Sequence, residues 1–401
     1  MNTEITMTME SLPRQVDETL DADAARRSRA LFNALMIVGA ATVVVGAAFG
    51  GARFWSALLL VSTFLVGLGL AGGALMAYEY LSGAGWSVAV RRVPEAMTAL
   101  LYWGGLGILA VLLLRPSLYP WTSPEEHFIG FKGFWLNRPF FLVRAVAYLS
   151  IWIGLSRLMV ANSRRGDEEG GLGRRRLNTV LSGVYIVTFA LTVWLSTVDW
   201  IMTLEPHWYS TVFGVYNYAG IMSSGIAVAI LLGLWLRRLG PWRGVLRDDH
   251  LQDWGKLLLT FCTFWIYIWF SQYMLIWYGN VPEETVYFIR RTSGAWGSLM
   301  LLNLALNWVV PFFLLLPRWT KRDGRVLGQI AVVVLAGRWL DLYIMIVPAD
   351  PSASTVPTLW DAGLTVGAVG VVCWAFWRAM RRAAVAPVGD PYLPESLHYH
   401  S

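Results

Sequence analysis

Cysteine and histidine are scarce in this 401-residue chain, which has two of the first and five of the second. Cys262 and Cys373 each lie inside an apolar run, and no CxxC, CxxCH or Cys/His cluster occurs. That excludes the usual ligand patterns of iron–sulfur clusters, covalent c-type haem and structural zinc. The histidines are His127, His207, His250, His398 and His400. None falls in the middle of an apolar run, so no bis-histidine b-haem can be built there. The chain is expected to bind no cofactor and no metal itself, and any electron chemistry falls to other subunits. Charge is scarce too, at 14% of residues, where soluble proteins carry about 25%.

What the sequence has instead is apolar surface: 56% hydrophobic residues, with 22 tryptophans. Such a chain cannot cover itself with polar groups, so the bilayer is its solvent. The net charge of +6 comes from short basic blocks between apolar runs. That is the pattern of topology signals, not of a nucleic-acid surface.

Ten apolar segments have the length of a membrane crossing, near 31–50, 55–80, 96–114, 139–162, 178–199, 211–236, 254–278, 293–316, 326–347 and 358–379. A spanning segment satisfies its backbone internally, so these are read as helices. The expected fold is an all-α integral membrane protein with ten transmembrane helices. With the N-terminus inside, 23 of the 32 Lys and Arg residues fall on the inner side, six on the outer side, and Arg144, Arg157 and Arg338 within helices. The bias holds loop by loop and places both termini in the cytoplasm. Residues 1–30 are expected as a flexible cytoplasmic tail, 31–380 as the membrane domain and 381–401 as a second cytoplasmic tail. The outer loop 115–138 carries Tyr119, Trp121, Phe128, Phe131, Phe134 and Trp135. It reads either as an interfacial aromatic belt or as a surface for a partner.

Polar residues inside the spans cost about 2.5 to 3.5 kcal/mol each at mid-helix and mark functional positions or structural pairs. Most of them fall in the outer half: Arg144, Asp199, Tyr216, Asn217, Gln272, Tyr273, Arg338 and Asp341. Arg338 and Asp341 are three apart and share a helix face. Arg144 and Asp199 form a second possible pair on neighbouring helices. For Arg338 and Asp341 the open alternative to a functional pair is a structural ion pair that neutralises itself; for Arg144 and Asp199 it is Arg144 snorkelling to the outer surface. Asn303 and Asn307 read as interhelical hydrogen bonding. Glu79 ends the second helix on the inner side, as a proton entry or an ordinary interfacial carboxylate.

Two outer turns carry the remaining charge. STVDWIMTLEPHWYST, residues 196–211, holds Asp199, Glu205 and His207, with Pro206 setting the turn. Histidine titrates near neutral pH and relays protons; the alternative is a solvated loop whose charges cap helix ends. QYMLIWYGNVPEETVYFIRR, residues 272–291, brings Glu283, Glu284, Arg290 and Arg291 to the same side, either to dock a partner or as a soluble loop.

These two turns, with GRWLDLYIMIVP at 337–348, resemble the F membrane subunit of alternative complex III, a bacterial quinol:electron-acceptor oxidoreductase unrelated to cytochrome bc1. That subunit is itself similar to the membrane anchors of polysulfide and nitrite reductases. The resemblance covers nearly the whole ten-helix region and leaves out the N-terminal tail and residues beyond 385. It implies two four-helix bundles, helices 2–5 and 6–9, with helices 1 and 10 peripheral. It implies partners: a sister ten-helix quinol-binding subunit, an iron–sulfur subunit, multi-haem and mono-haem cytochrome c subunits, and small membrane subunits in the bacterial cytoplasmic membrane. Haem c and iron–sulfur clusters would sit in those partners. Proton transfer ranks above quinol or menaquinol binding in this chain. The proton-transfer candidates are Asp199, Glu205, His207, Arg338, Asp341, Arg144 and Glu79. The quinol candidates are His207, Tyr216, Asn217, Gln272 and Tyr273. A secondary transporter and a purely structural scaffold are the competing readings.

Overall fold

The computed structural model describes residues 22–170, 172–350 and 353–400, all in helices, turns and loops. Ten helices are long and apolar enough to cross a membrane: α1 (Ala25–Phe49), α2 (Gly51–Ser82), α3 (Val88–Leu114), α4 (Arg138–Glu169), α5 (Leu172–Leu204), α6 (Phe213–Leu239), α7 (Asp248–Gly279), α8 (Gly294–Leu315), α9 (Gly324–Ala349) and α10 (Leu359–Met380). This is the build of a multi-pass membrane protein. The helices run alternately up and down, so their connections gather at two ends. One end carries the turns at 115–137, 205–212 and 280–293, and the other carries 83–87, 240–247 and 381–400.

The two most enclosed helices are α2 and α6, with 83% and 89% of their most apolar stretch buried. Both are rich in Gly, Ala and Ser, which lets backbones approach closely where lipid gives no hydrophobic drive. Helix α2 packs on α3 and α5, and α4 packs on the same two. Helix α6 packs on α7 and α9, and α8 packs on the same two. Helix α6 also packs on α2 and α5, and α10 packs on α2 and α3. Helix α1 lies at the edge and pairs with α10 through Gly39 and Gly367, whose backbones leave no room for a Cβ on either.

Helix α8 is not regular. Residues Ala305–Val309 form a π turn just before Pro311. Proline lacks an N–H and its ring clashes with the carbonyl four residues earlier, here that of Asn307. The wider turn absorbs the clash; Asn307 lies within it and Asn303 two residues before it.

The expected N-terminal tail falls mostly on residues 1–21, which lie outside the described residues; from Ala22 the chain is helical. The segment after α10 is not a free tail. Trp242 Nε1 donates to the carbonyl of Val385 at 3.1 Å, and Arg247 to that of Leu397 at 3.1 Å. Ser396 is buried, accepts from the N–H of Ala89 at 3.0 Å and donates to the carbonyl of Trp86. The run 385–397 is therefore fixed across the α2–α3 and α6–α7 connections.

Candidate functional site

Asp341 lies where α6, α7, α8 and α9 meet and is 1% exposed. Each of four helices gives it one hydrogen-bond donor. Arg338 of α9 reaches Oδ2 at 2.6 Å, and Trp265 of α7 reaches the same oxygen at 3.3 Å. Asn303 of α8 donates to Oδ1 at 3.1 Å, and the hydroxyl of Tyr216 on α6 donates there too. Asn307 Nδ2 holds Asn303 Oδ1 at 2.7 Å, extending the network along α8. Arg338 uses its other amino group on Asn217 Oδ1, at 3.0 Å. Gly220 makes this possible, because a Cβ there would stand 2.5 Å from the Arg338 guanidinium. The cluster thus buries one cation and one anion with their hydrogen-bonding capacity largely used. That is the condition under which a buried ion pair is tolerated.

Arg144 and Asp199 form the second cluster, between α4 and α5. Arg144 Nε lies 3.0 Å from Asp199 Oδ2, and its Nη2 lies 3.0 Å from Oδ1. Tyr148 donates to Oδ2 at 3.0 Å and Trp135 Nε1 to Oδ1 at 2.9 Å. Trp135 ends a short helix, Gly130–Trp135, in the 115–137 connection. Its ring and that of Phe140 cover the guanidinium at 4.0 and 4.5 Å, adding cation–π attraction to the ion pair. The aromatic connection, read from sequence as a belt or a docking surface, thus also closes over this pair.

Glu205 is drawn to a different partner. Arg291 meets its Oε1 at 2.5 Å and Arg290 its Oε2 at 3.3 Å. Arg291 is fully buried and also donates to the carbonyls of Ile344 and Met345, at 2.8 and 3.0 Å. Its guanidinium lies 3.4 Å over the Tyr287 ring, which stacks on Trp208 at 3.8 Å. Arg291 thus bolts the two turns to α9 from a buried position. Glu283 is exposed and Glu284 half-buried, so both remain available at that surface.

The expected grouping of Asp199, Glu205 and His207 at one lip does not form. Asp199 is buried under Trp135, Glu205 is held by arginines, and His207 is exposed, 3.4 Å from Glu126. Asp199 is still on the α5 helix and faces its interior, while Glu205 and His207 lie in the turn around Pro206, where two successive polar side chains point apart. Among the quinol candidates, Tyr216 and Asn217 belong to the Asp341 cluster. Gln272 is buried with its Nε2 unpartnered, and Tyr273 stacks on Trp269 at 5.5 Å.

Glu79 sits at the opposite end, 3.5 Å from Arg91. Around it is a cluster that the sequence reading missed. Arg91 bonds Tyr80 at 2.7 Å and Asp390 at 2.8 Å, and Arg175 meets Asp390 at 3.0 Å. Arg92 pairs with Glu95 at 2.6 Å and with Asp167, and Ser163 donates to Glu95 at 2.5 Å. Burial pushes the Asp390 carboxyl up, but Arg91, the N–H of Tyr392 and Arg175 outweigh it and hold it below its ordinary value. The local signal is Arg92 three residues before Glu95, a helical pair, but by position both arginines count among the inner-side basic residues that mark topology. Asp390 had no local signal, because its partners lie more than 200 residues away.

Among the described residues no group of three or more His, Cys, Asp or Glu side chains is placed to hold a metal ion. No protein-family model matches this chain, and no curated protein matches it.

Proposed function

We propose that this chain is a cofactor-free membrane subunit of a quinol-oxidising respiratory complex of the alternative complex III kind, in the bacterial cytoplasmic membrane, with proton transfer as its task. The observation that carries the reading is Asp341, a carboxylate sealed among four helices yet bonded to a tyrosine hydroxyl, two amide-bearing neighbours' network and an arginine. Such a network holds exchangeable protons in a low-dielectric interior at a defined place. Quinol oxidation sheds two protons with its two electrons, and a positioned carboxylate is a fitting acceptor or relay. Asp199 with Tyr148 supplies a comparable station in the other half. The packing of α2 with α3 and α5, and of α6 with α7 and α9, supports two four-helix groups, α2–α5 and α6–α9, with α10 packed against the first and α1 on α10. The Lys and Arg bias supports cytoplasmic termini, which puts Glu79 on the inner side and Glu205 and His207 on the outer side. Quinol or menaquinol is the substrate of the complex. Haem c and iron–sulfur clusters belong to its other subunits: a sister ten-helix protein, an iron–sulfur protein, multi-haem and mono-haem cytochromes c, and small membrane subunits.

Purification in mild detergent through a tag at the C-terminus, followed by an optical spectrum and mass spectrometry, tests the assignment. Reduced c-haem bands with an iron–sulfur subunit are expected. A colourless protein without partners overturns it and favours a transporter. The second reading is a scaffold, and the completeness of the hydrogen bonds around Asp199 favours it: every carboxylate oxygen there already has two donors.

A further inference from the structure

Arg144, Arg157 and Arg338 lie inside the apolar runs of their helices, and they have different fates. Arg144 and Arg338 are buried and ion-paired. Arg157, on α4, faces outward and has no ion-pair or hydrogen-bond partner among the described residues. We propose that the outer face of α4 around Arg157 docks a transmembrane helix of another subunit, and that this helix presents an Asp or Glu to Arg157 inside the membrane.

The argument begins with depth. Arg157 is seven residues from Arg164 along α4, which is about 10 Å at the helical rise. The surroundings on that side of the molecule are apolar: Val146 and Leu158 on α4, Val180, Val184 and Val187 on α5 are all exposed. An arginine can reach for headgroups, but a helical side chain leaves its backbone tilted toward the helix N-terminus. For Arg157 that direction leads away from the basic end formed by Arg164 and Arg165 and further into the apolar layer. An unpaired guanidinium there is costly, and an anion on a facing helix removes the cost.

Shape agrees with charge. On the same face of α4, Ala147, Ser150, Gly154 and Ala161 are exposed. A Cβ on Gly154, or on Gly183 of α5, would meet nothing within 4 Å. Small residues at this spacing let a second helix come close enough for a short acidic side chain to reach Arg157. The charge identifies the occupant, and the small residues only make room for it.

A second copy of this chain does not supply the anion. Among the described residues, every carboxylate within the spans is either buried in its own cluster or placed at a helix end. The partner is a different chain. This inference needs only a membrane assembly, not the quinol reading.

The test uses the full chain expressed in its native membrane. A photo-crosslinking residue is placed at Ala161, and in a control at Leu106 of α3, which is 65% exposed on another face. The Ala161 probe is expected to trap one discrete polypeptide of small apolar type, and Arg157→Gln to reduce that product about tenfold or more, with Arg157→Lys retaining it. Arg157 makes no ion pair or hydrogen bond among the described residues, so each variant is first shown to have the same thermal midpoint as the parent. Crosslinks at Ala161 to lipid alone, or an adduct indifferent to Arg157→Gln, overturn the proposal and assign Arg157 to a lipid phosphate. If haem proteins still copurify in that case, only this inference falls; if the adduct forms but no haem protein copurifies, only the respiratory reading falls.

Discussion

Arg144 grips Asp199 at two points, each 3.0 Å long, while Trp135 and Tyr148 fill the remaining lone pairs of the carboxylate. The pair ties α4 to α5 and is closed over by the short helix at Gly130–Trp135. Its chemistry has two consequences of different kinds, one for stability and one for function.

The stability consequence is asymmetric. Asp199→Leu leaves a buried cation without its anion and should cost about 3–5 kcal/mol. The double change Arg144→Met with Asp199→Leu removes both charges and should recover most of that loss. Thermal midpoints in detergent for the two singles and the double complete the cycle. Additive losses would show that the pair is not coupled.

Arg338 depends on the absence of a side chain at Gly220. Gly220→Ala puts a methyl against the guanidinium and should cost about 1–3 kcal/mol by overpacking. Gly183→Ala, which meets open space, should stay within about 0.5 kcal/mol of the parent. Equal midpoints for the two variants would mean that Arg338 is not held against α6.

How much of this was legible in the sequence follows the physics of each feature. The ten helices were, because each must satisfy its own backbone in lipid and so announces itself as one long apolar run. Arg338 with Asp341 was legible as a helical i,i+3 pair. Arg144 with Asp199 could be guessed only as a match of opposite charges at one depth. Tyr216, Asn303 and Trp265 were not legible as ligands of one carboxylate, since they come from three further helices. The proline at 311 was visible, but the π turn before it, which holds Asn307, was not. The docking of 385–397 was hidden because its polar, proline-rich composition reads as a tail, and its bonds run to backbone groups that carry no sequence signal.

The docked C-terminal segment should loosen in acid. Asp390 is held below its ordinary carboxyl value of 3.8. A depressed carboxyl contributes stability that is complete above its unfolded value and fades as pH falls through the folded one. Proteolysis of 385–400 should therefore be slow at neutral pH and rise as pH drops below about 4. Asp390→Asn should be cleaved faster at neutral pH and lose most of this acid dependence. A segment cleaved equally at all pH values in both proteins would contradict the assignment of Arg91 and Arg175 as its anchors.

His207 should be dispensable for stability. It is exposed and its contact with Glu126 is long, at 3.4 Å, so His207→Ala should move the thermal midpoint by less than about 0.5 kcal/mol equivalent. A large loss would show that the 205–212 turn is fixed through the imidazole and not through Glu205 and Arg291.

The central claim is that the buried carboxylates relay protons and do more than hold helices together. The most direct measurement is quinol turnover and proton release by the assembled complex carrying Asp341→Asn, compared with the parent at equal haem content. Asparagine keeps the shape but only one acceptor oxygen, for either Arg338 or Tyr216, and it leaves Arg338 without its anion, so the comparison is made on complex shown to assemble with the parent's haem content. The account predicts normal haem spectra with turnover or proton release reduced about tenfold or more, in the range of a lost acid–base group. An assembled complex with unchanged turnover and unchanged proton release would contradict it and leave this chain a scaffold.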